Sequence, residues 1–316
     1  MLVYIGRRLL IWVPSLLFIL LVIYALAFYG AGDPVKLIFM RAPGDVAYDP
    51  ARVEAIREAA GLNRPFIVQF GAYVLNLLQG DFGNSLVSGR SVGSMIAAAA
   101  PVSLQLGLIT IVVTAVLGIP LGLISGLREG RASDTIITSV SLFLWAIPPY
   151  VMGPLLMVAL IVFFPSVGLP TGWGGVFDFR IILPVAVLSL QPIALIQRQT
   201  RTAVLEILSE NFVRTALAKG VTPMKLALHH ILRPILTPIV TQLGIILITF
   251  INGAVFVEVV FGLPGLGRLT VRAMTDADYP IILAVTLIGA IGVLAANLIV
   301  DVLYPLIDPR ADGDGR

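Results

Sequence analysis

Six long runs of apolar residues constrain this chain more than any other feature of its sequence. Crossing about 30 Å of hydrocarbon takes roughly 20 residues of α-helix, and each run is close to that length or longer. The runs cover residues 9–30, 101–126, 135–164, 181–198, 235–257 and 280–304. Hydrophobic residues make up 58% of the chain and charged residues only 12%, whereas a soluble domain carries about 25% charged residues. The sequence therefore predicts an all-α membrane protein with six transmembrane helices.

The first run resembles a signal peptide because Arg7 and Arg8 precede it. Its apolar core exceeds the usual ~7–15 residues and no clean small-residue cleavage site follows, so we interpret it as a retained span. Prolines inside the runs predict kinked or broken helices, which membranes tolerate when neighbouring helices satisfy the freed carbonyls. These prolines are Pro120, Pro148, Pro149, Pro154 and Pro192.

Basic residues indicate the orientation, because short cytoplasmic loops are enriched in lysine and arginine. Basic residues precede the first run, separate the second from the third and follow the sixth. The richest loop lies between the fourth and fifth runs and holds Arg198, Arg201, Arg214, Lys219, Lys225 and Arg233. The short loops of the opposite side hold only Arg180, Arg268 and Arg272. The pattern predicts a multi-pass protein with both termini in the cytoplasm.

Residues 31–100 separate the first two runs and carry helix signals. Pro50 stands at the first position of a helix that Asp49 can cap and Gly61 can end, and a second helix fits between Pro65 and Gly80. We expect a small helical subdomain on the extracytoplasmic side, packed over the first two spans. Its alternating charges indicate a solvated helix face, and they are also compatible with a docking surface for an external partner.

The segment Ser209–Pro234, here called the basic loop, combines positive charge with two sets of helix-capping signals. Asn211 is placed to cap a short helix through "FVRTALAK", and Gly220 supplies the left-handed position that ends it. Thr222 is placed to cap a second helix that begins at Pro223 and stops at the proline that closes the loop. Helices this short are marginal alone in water, so we expect them to be docked on something.

Three interpretations of the basic loop compete. An ordinary positive-inside loop explains the charge but not two capped helices around a glycine. A DNA-binding helix-turn-helix needs a soluble domain that is free to approach a groove, whereas both ends of this loop enter apolar runs. A docking element for a cytoplasmic partner explains both the charge and the caps.

The sequence contains few residues of the types that carry out catalysis. The chain has no cysteine and two histidines, and the adjacent His229 and His230 cannot both face one metal from a helix. No His-Glu-x-x-His, Gly-x-Ser-x-Gly or Gly-x-x-x-x-Gly-Lys-Ser/Thr pattern occurs. The sequence predicts no catalytic residue, metal site or cofactor in this chain, no nucleic-acid partner, and energy supplied by other subunits or by an ion gradient.

An ion-coupled secondary carrier is the alternative class. Such carriers place carboxylates or histidines at mid-membrane depth. Here Glu258 lies near the outer end of the fifth run and Asp301 in the last turns of the sixth. The scarcity of ionisable groups inside the runs argues against ion coupling.

Several motifs resemble one known family along essentially the whole chain. "ENFVRTALAKG" looks like the cytoplasmic EAA-type loop of permease subunits of ATP-binding cassette importers, in the version of dipeptide, oligopeptide and nickel permeases. "YIGRRLLIWVPSLL", "GDPV", "GDFGNSL", "GAVFVEVVFGLPGLGRL" and "NLIVDVLYPLIDPR" are similar to the same family in the same order. "DADYP" departs from its usual Arg-Asp-Tyr-Pro by placing Ala277 at the arginine.

The resemblance implies a type I importer permease fold and a transporter in which different subunits form the pathway, bind ATP and deliver substrate. Two permease subunits, usually distinct, form the pathway; two ATPase subunits bind ATP and Mg²⁺, and an extracytoplasmic binding protein delivers substrate. Dipeptides or oligopeptides are the implied solutes, with a nickel chelate or glutathione as alternatives, in a bacterial or archaeal inner membrane. The residues it assigns to ATPase coupling are Glu210, Arg214, Thr215, Ala216, Lys219, Gly220 and Thr222.

Polar residues inside the runs are candidates for lining the pathway, although hydrogen bonding between helices would equally explain them. They are Gln105, Gln191, Gln242 and Asn252. The expected organisation is a first span (1–30), an extracytoplasmic subdomain (31–100), a five-helix core (101–305) with coupling loop 199–234, and a cytoplasmic tail (306–316).

Overall fold

The structure is a computed structural model that describes residues 2–30, 50–59, 63–222, 225–251 and 254–307. These residues are helical apart from loops and an isolated antiparallel bridge between Asn84 and Ser91. They divide into two compact units. Unit one comprises Met1–Pro101 and Pro264–Leu294, and unit two comprises Val102–Leu263 and Ala295–Arg316.

The helices follow the expected order, although their ends differ from the apolar runs. They are α1 (Leu2–Gly30), α2 (Pro50–Ala59), α3 (Phe66–Leu78), α4 (Val92–Leu127), α5 (Ala132–Ala146), α6 (Pro149–Phe163), α7 (Ile182–Leu208), α8 (Asn211–Ala218), a π-helix (Leu226–Ile231), α9 (Leu232–Ile251), α10 (Val255–Val260), α11 (Leu266–Asp276) and α12 (Tyr279–Ile307). Both helices expected between the first two runs are present as α2 and α3, whereas Asp49 and Gly61 lie outside the described residues.

Among the described residues, four helices are long and apolar enough to cross a membrane, within α1, α4, α7 and α12. The third apolar run forms two helices, α5 and α6, which pass the same test as a pair and are bent by 99°. The break falls at Pro148, where the prolines predicted one. The fifth run corresponds to α9, apolar over Leu232–Leu247. A helical membrane protein is thus confirmed, with up to five spans described; the sixth span stays a prediction.

Unit one pairs α1 with α3 through aromatic rings. Tyr24 of α1 contacts Phe66, Phe70 and Tyr73 of α3 at centroid distances of 5.9, 5.6 and 5.4 Å. A separate small core joins residues of α4, α11 and α12, including Val92 and Ala284, which are fully buried. Burying these rings and aliphatic groups removes apolar surface from water, which stabilises unit one.

Asp278 fixes the turn between α11 and α12 inside unit one. Its carboxylate is 2% exposed and accepts hydrogen bonds from the hydroxyl of Ser85 and the amide of Leu86. The preceding residue, Ala277, has a φ of 55°, a left-handed conformation that is uncommon for a residue with a Cβ. Ala277 stands where the resembling family usually has arginine, so no charged side chain is present at this position of the turn.

Unit two is built around α7. Its core combines residues of α7 with others from α4, α8, the π-helix, α9 and α10, among which Ile196, Ile235 and Phe261 are fully buried. The glutamate predicted near the outer end of the fifth run, Glu258, is buried in α10 and accepts a hydrogen bond of 2.6 Å from the hydroxyl of Ser103. Pairing with a hydroxyl offsets part of the cost of burying this carboxyl group.

A row of glycines on α4 allows residues of α7 to pack directly against the backbone of α4. A Cβ at Gly118 would lie 2.8 Å from Ile196, one at Gly126 would lie 2.8 Å from Val204, and one at Gly122 would lie 2.6 Å from the carbonyl oxygen of Gln197. The spacing of four places all three glycines on one helix face, as in other close helix pairs in membranes. This contact was not predicted, although "GIPLGLISG" carries the Gly-x-x-x-Gly signal.

The loop between α6 and α7 is held by an ion pair. Arg180 donates hydrogen bonds from Nε and Nη2 to the two carboxylate oxygens of Asp178, at 2.9 and 2.7 Å. Gly174 lies against this pair, and a Cβ there would collide with the carboxylate. The backbone of the same loop is tied to unit two by the amide of Gly172, which bonds to the carbonyl of Phe261 at 2.8 Å.

Candidate functional site

The N-terminus of α8 is formed by Glu210 rather than by the predicted cap Asn211. Glu210 has extended backbone angles (φ −71°, ψ 145°), and its side chain makes no capping hydrogen bond. The amides of Val213 and Arg214 bond to its carbonyl at 3.1 and 3.3 Å. Asn211 is already the first residue of the helix, so the predicted cap is wrong by one position. Its carbonyl instead accepts the hydroxyl of Thr215 at 3.0 Å.

The C-terminus of α8 matches the prediction. Gly220 has a φ of +75°, the left-handed conformation that ends many helices and that glycine adopts without a Cβ penalty. Its amide bonds to the carbonyl of Leu217 at 2.9 Å, and the amide of Val221 bonds to that of Ala216 at 3.2 Å. The chain therefore turns sharply out of α8 without leaving those carbonyls unpaired.

The two faces of α8 differ in chemistry. Val213 and Ala216 are buried in the core of unit two, beside α7 and the π-helix, both of which α8 contacts. On the outer side, Phe212 is 46% and Leu217 51% exposed. Arg214 is exposed as well. A rigidly seated helix thus displays a small surface that mixes apolar and cationic groups.

The residues predicted for coupling occupy α8 and its two flanks. Those exposed at this site are Glu210, Arg214, Thr215, Lys219, Gly220 and Thr222. Ala216 is buried and supports the helix from below instead of facing outward. Phe212 and Leu217 were missed. The i, i+3 spacing of Val213 and Ala216 was the available signal, because it sets the buried face and leaves those two outside.

The second predicted helix of the basic loop does not stop at Pro234. Its described part includes the π-helix, which continues directly into α9. The amide of Leu232 bonds to the carbonyl of Ala227, five residues earlier, which is the π-helical pattern. Pro234 stands in the first turn of α9. The predicted start of this helix, at Pro223, lies outside the described residues, although the amide of Leu226 bonds to the carbonyl of Thr222 at 2.9 Å.

A buried ion pair joins the helices that precede α8. Asp134 of α5 is 5% exposed and accepts hydrogen bonds from Arg201 of α7 at 2.7 and 2.8 Å. The hydroxyl of Ser125 on α4 and the amide of Gly130 donate to the same carboxylate. One carboxylate therefore ties three helices together. From the sequence, Arg201 was interpreted only as a marker of orientation, and its pairing with Asp134 was not predicted.

The candidate pathway residues lie in different surroundings. Gln105 on α4 is exposed and Gln242 on α9 is half-buried. Gln191 of α7 donates to the carbonyl of Trp145 at 3.0 Å, a carbonyl freed by the break between α5 and α6. For Gln191, the helix-to-helix hydrogen bond is therefore present. Asn252 lies outside the described residues.

Three further polar groups are buried between α4 and α7. Thr114, Gln197 and Thr200 are each at most 1% exposed. Within the described part of the chain, the hydroxyls of both threonines and the side-chain amide nitrogen of Gln197 find no hydrogen-bond partner. Leaving such groups unpaired is costly. These three residues were not among the candidates for lining the pathway. Gln197 was passed over because it lies at the end of the fourth run, next to charged residues.

No set of three or more metal-ligating side chains comes together among the described residues. The family model of the binding-protein-dependent transport system inner membrane component matches residues 118–313, which include α8, Gly220 and the Asp134–Arg201 pair. The chain belongs to this family. It is the membrane permease component of an ATP-binding cassette importer and not the ATPase.

Similar proteins cover the permease almost completely. It is 35% identical over 312 residues to the oligopeptide transport system permease protein OppB of Haemophilus influenzae, covering 98% of this chain and 99% of that protein. It is 37% identical to the oligopeptide permease protein AppB of Bacillus subtilis, with the same coverage. It is also 34% identical to the glutathione transport system permease protein GsiC of Salmonella choleraesuis, covering 98% of each chain.

The fold of the permease is also known from a solved structure. The MetNI methionine ABC transporter in inward-facing conformations superposes with a TM-score of 0.54 at 20% identity, covering 67% of this chain and 96% of that one. This likeness confirms the fold of an importer permease. Together with the family match, it makes the chain a multi-pass inner-membrane protein.

Proposed function

We propose that the permease forms half of the pathway of an importer for dipeptides or oligopeptides, driven by ATP hydrolysis in partner subunits. Two of the relatives described above are named for oligopeptides and the third for glutathione, itself a short peptide. The permease spans contain few ionisable groups, which suits brief passage of a zwitterionic solute that an external binding protein selects. Glutathione is the alternative solute.

The surface of α8 is the single observation that carries the coupling role. A partner can push a helix productively only when the helix is fixed to the body that must move. Val213 and Ala216 fix α8 to the core of unit two, while Phe212, Leu217 and Arg214 remain available to a partner. Exposed apolar side chains flanked by a cation are typical of a docking contact that excludes water and keeps orientation.

The finer architecture belongs to the same proposal. In this proposal the permease has six spans in the type I arrangement, with both ends of the chain and loop 199–234 in the cytoplasm. Residues 31–100 form the outer subdomain, 101–305 the helical core and 306–316 a tail. The partners are a second, related permease chain, two ATPase subunits that bind ATP and Mg²⁺, and an external binding protein.

Cysteine cross-linking tests the docking of α8 directly, because the chain has no native cysteine. We expect Leu217→Cys and Thr215→Cys to form cross-links to the ATPase subunit through a short bifunctional maleimide, and to be protected from a soluble maleimide in the assembled complex. Glu129→Cys, in another exposed loop on the same predicted side, is the matched control and should stay reactive. Equal reactivity of all three in the assembled complex would show that α8 is not the docking element.

The solute is tested separately by exchanging the binding protein. A peptide-specific binding protein and a glutathione-specific one are each combined with the same permease and ATPases in proteoliposomes. If the external protein selects the solute, the transported solute changes with it. Unchanged selectivity would place the selection inside the permease spans instead.

A further inference from the structure

Unit one contains a cavity of about 640 Å³, which lies within the range of about 300–1,000 Å³ that small-molecule sites occupy. It is formed by residues of α1, α2 and α3, the loop that precedes α4, and the start of α12. All of these residues belong to one compact unit. The predicted topology places them on the extracytoplasmic side.

The wall of the cavity combines three kinds of group. Aromatic rings include Phe82 and Tyr279, and primary amides include Asn76 and Gln69. One cation, Arg57, whose Nη1 is paired with Glu54 at 3.1 Å, and one anion, Asp81, whose Oδ1 accepts the amide of Gly83, complete the lining. Rings bind side chains, amides bind peptide groups as both donor and acceptor, and a guanidinium binds a carboxylate in a charge-assisted pair. This combination complements a molecule that carries amide bonds, apolar side chains and one charge of each sign.

A buried hydroxyl in the same wall lacks a partner. Tyr73 lines the cavity, and its hydroxyl is buried without a hydrogen-bond partner among the described residues. Burial raises the pKa of Tyr73 to about 12, with a contribution from Tyr24, so the hydroxyl keeps its proton at neutral pH. Unpaired buried hydroxyls are costly, and a ligand that accepted this proton in a hydrogen bond would remove that cost.

We propose that this cavity is a binding site for a short peptide with free termini, held by the permease itself outside the membrane core. The choice of a peptide rests on the proposed function. Arg57 takes the terminal carboxylate, Asp81 takes the terminal ammonium group, and Tyr73 with Asn76 bonds to peptide groups between them. The site gives the permease its own weak selection of solute, in addition to that of the binding protein.

Equilibrium binding to the complete transporter tests the site. The probe is radiolabelled Ala-Phe-Ala, and the transporter is placed in lipid nanodiscs without its binding protein. We expect saturable binding, weakened at least about tenfold when the probe is acetylated and amidated, because both end charges are then lost. A capped probe that bound as well as the free one would overturn the assignment of Arg57 and Asp81.

Tyr73→Phe separates binding from folding. Removing a hydroxyl without a partner should leave the thermal unfolding temperature unchanged or slightly raised, whereas loss of one hydrogen bond to the peptide should weaken binding about three- to tenfold. Tyr150→Phe, at an exposed tyrosine of unit two, should bind the probe like the unmodified chain. Arg57→Gln should weaken binding and Arg90→Gln, an exposed arginine outside the cavity, should not.

Import measured on the same preparation, with the binding protein added, keeps the two proposals apart. Absence of saturable binding in a transporter that imports the peptide would overturn the cavity proposal and leave the proposed function intact. Binding that Tyr73→Phe and Arg57→Gln leave unchanged would also overturn it. Binding without import of any peptide would instead overturn the proposed function.

Discussion

Arg201 donates two parallel hydrogen bonds, of 2.7 and 2.8 Å, to the carboxylate of Asp134. Bidentate pairs of this kind fix orientation as well as charge. The two residues lie 67 positions apart in the sequence, on α7 and α5. Their contact therefore sets how those helices pack near the basic loop.

Asp134→Asn should destabilise the permease strongly. It removes the charge that balances Arg201 while keeping the shape, and breaking a buried pair in this way costs about 3–5 kcal/mol. Because the Arg201 side chain is 26% exposed, we expect about 2–4 kcal/mol. Thermal unfolding of the purified complex measures this loss of stability. Arg272→Gln is the control, since the Arg272–Asp276 pair is long (3.9 Å) and exposed and should change stability by less than about 0.5 kcal/mol. Equal effects of the two variants would contradict this prediction.

Gly122→Ala should disturb the contact between α4 and α7. The new Cβ would lie 2.6 Å from the carbonyl oxygen of Gln197, and a backbone atom cannot move aside as a flexible side chain can. Overpacking of this kind costs about 1–3 kcal/mol. Gly71→Ala is the matched control, because the helical Gly71 has open space around its Cβ position and alanine favours helix by up to about 1 kcal/mol. Unfolding temperatures of the two variants should move in opposite directions, and a neutral Gly122→Ala would show that the helices can separate there.

Gly220→Val should uncouple transport from ATP hydrolysis. The φ of Gly220 is +75°, which a β-branched residue resists, while no atom lies close enough for a Cβ to collide. Among the described residues the effect is therefore conformational, and Gly220→Asn, which tolerates this region better, should retain most activity. ATPase activity with and without loaded binding protein distinguishes the outcomes. A valine variant that the binding protein still stimulates normally would rule out the turn after α8 as a coupling element.

Acid should loosen the loop between α6 and α7 only at low pH. Hydrogen bonds from the side chain and the amide of Arg180 lower the pKa of Asp178 from 3.8 to about 2. Since the folded pKa lies below the unfolded one, the pair contributes fully above about pH 4 and its contribution fades as pH falls toward 2. Fluorescence of Trp173, in a chain carrying Trp12→Phe and Trp145→Phe, should report this transition. Asp178→Asn should abolish it; an unchanged transition would assign it to another group.

The fold was predictable where the signal is local. Apolar length predicted the spans within α1, α4, α7 and α12, and prolines predicted the break at Pro148, because both depend on the hydrocarbon thickness and on backbone geometry. The left-handed conformation of Gly220 was predictable because it also depends on local backbone geometry. The cap at Asn211 and the stop at Pro234 were wrong, since each depends on how the neighbouring turn is hydrogen-bonded.

The contacts between helices were not predictable in the same way. Asp134 and Arg201 carry no sequence mark of their pairing, because residues 67 apart meet only once α5 and α7 have packed. The unpaired hydroxyl of Tyr73 depends likewise on the ring of Tyr24, on a different helix. The roles assigned to Gln105, Gln242 and Asn252 stay predictions. Phe212 and Leu217 were missed, although the spacing of the apolar residues on α8 carries a signal for them.

The glycine row has a mechanical consequence. With Gly118, Gly122 and Gly126 seated against α7, neither helix can slide along the other without lifting over a side chain. α8 follows α7 after two residues and shares its core. In the proposed coupling role of α8, a displacement of α8 would therefore move α4 and α7 together as one rigid body, and the bending that transport requires would occur at other helix contacts.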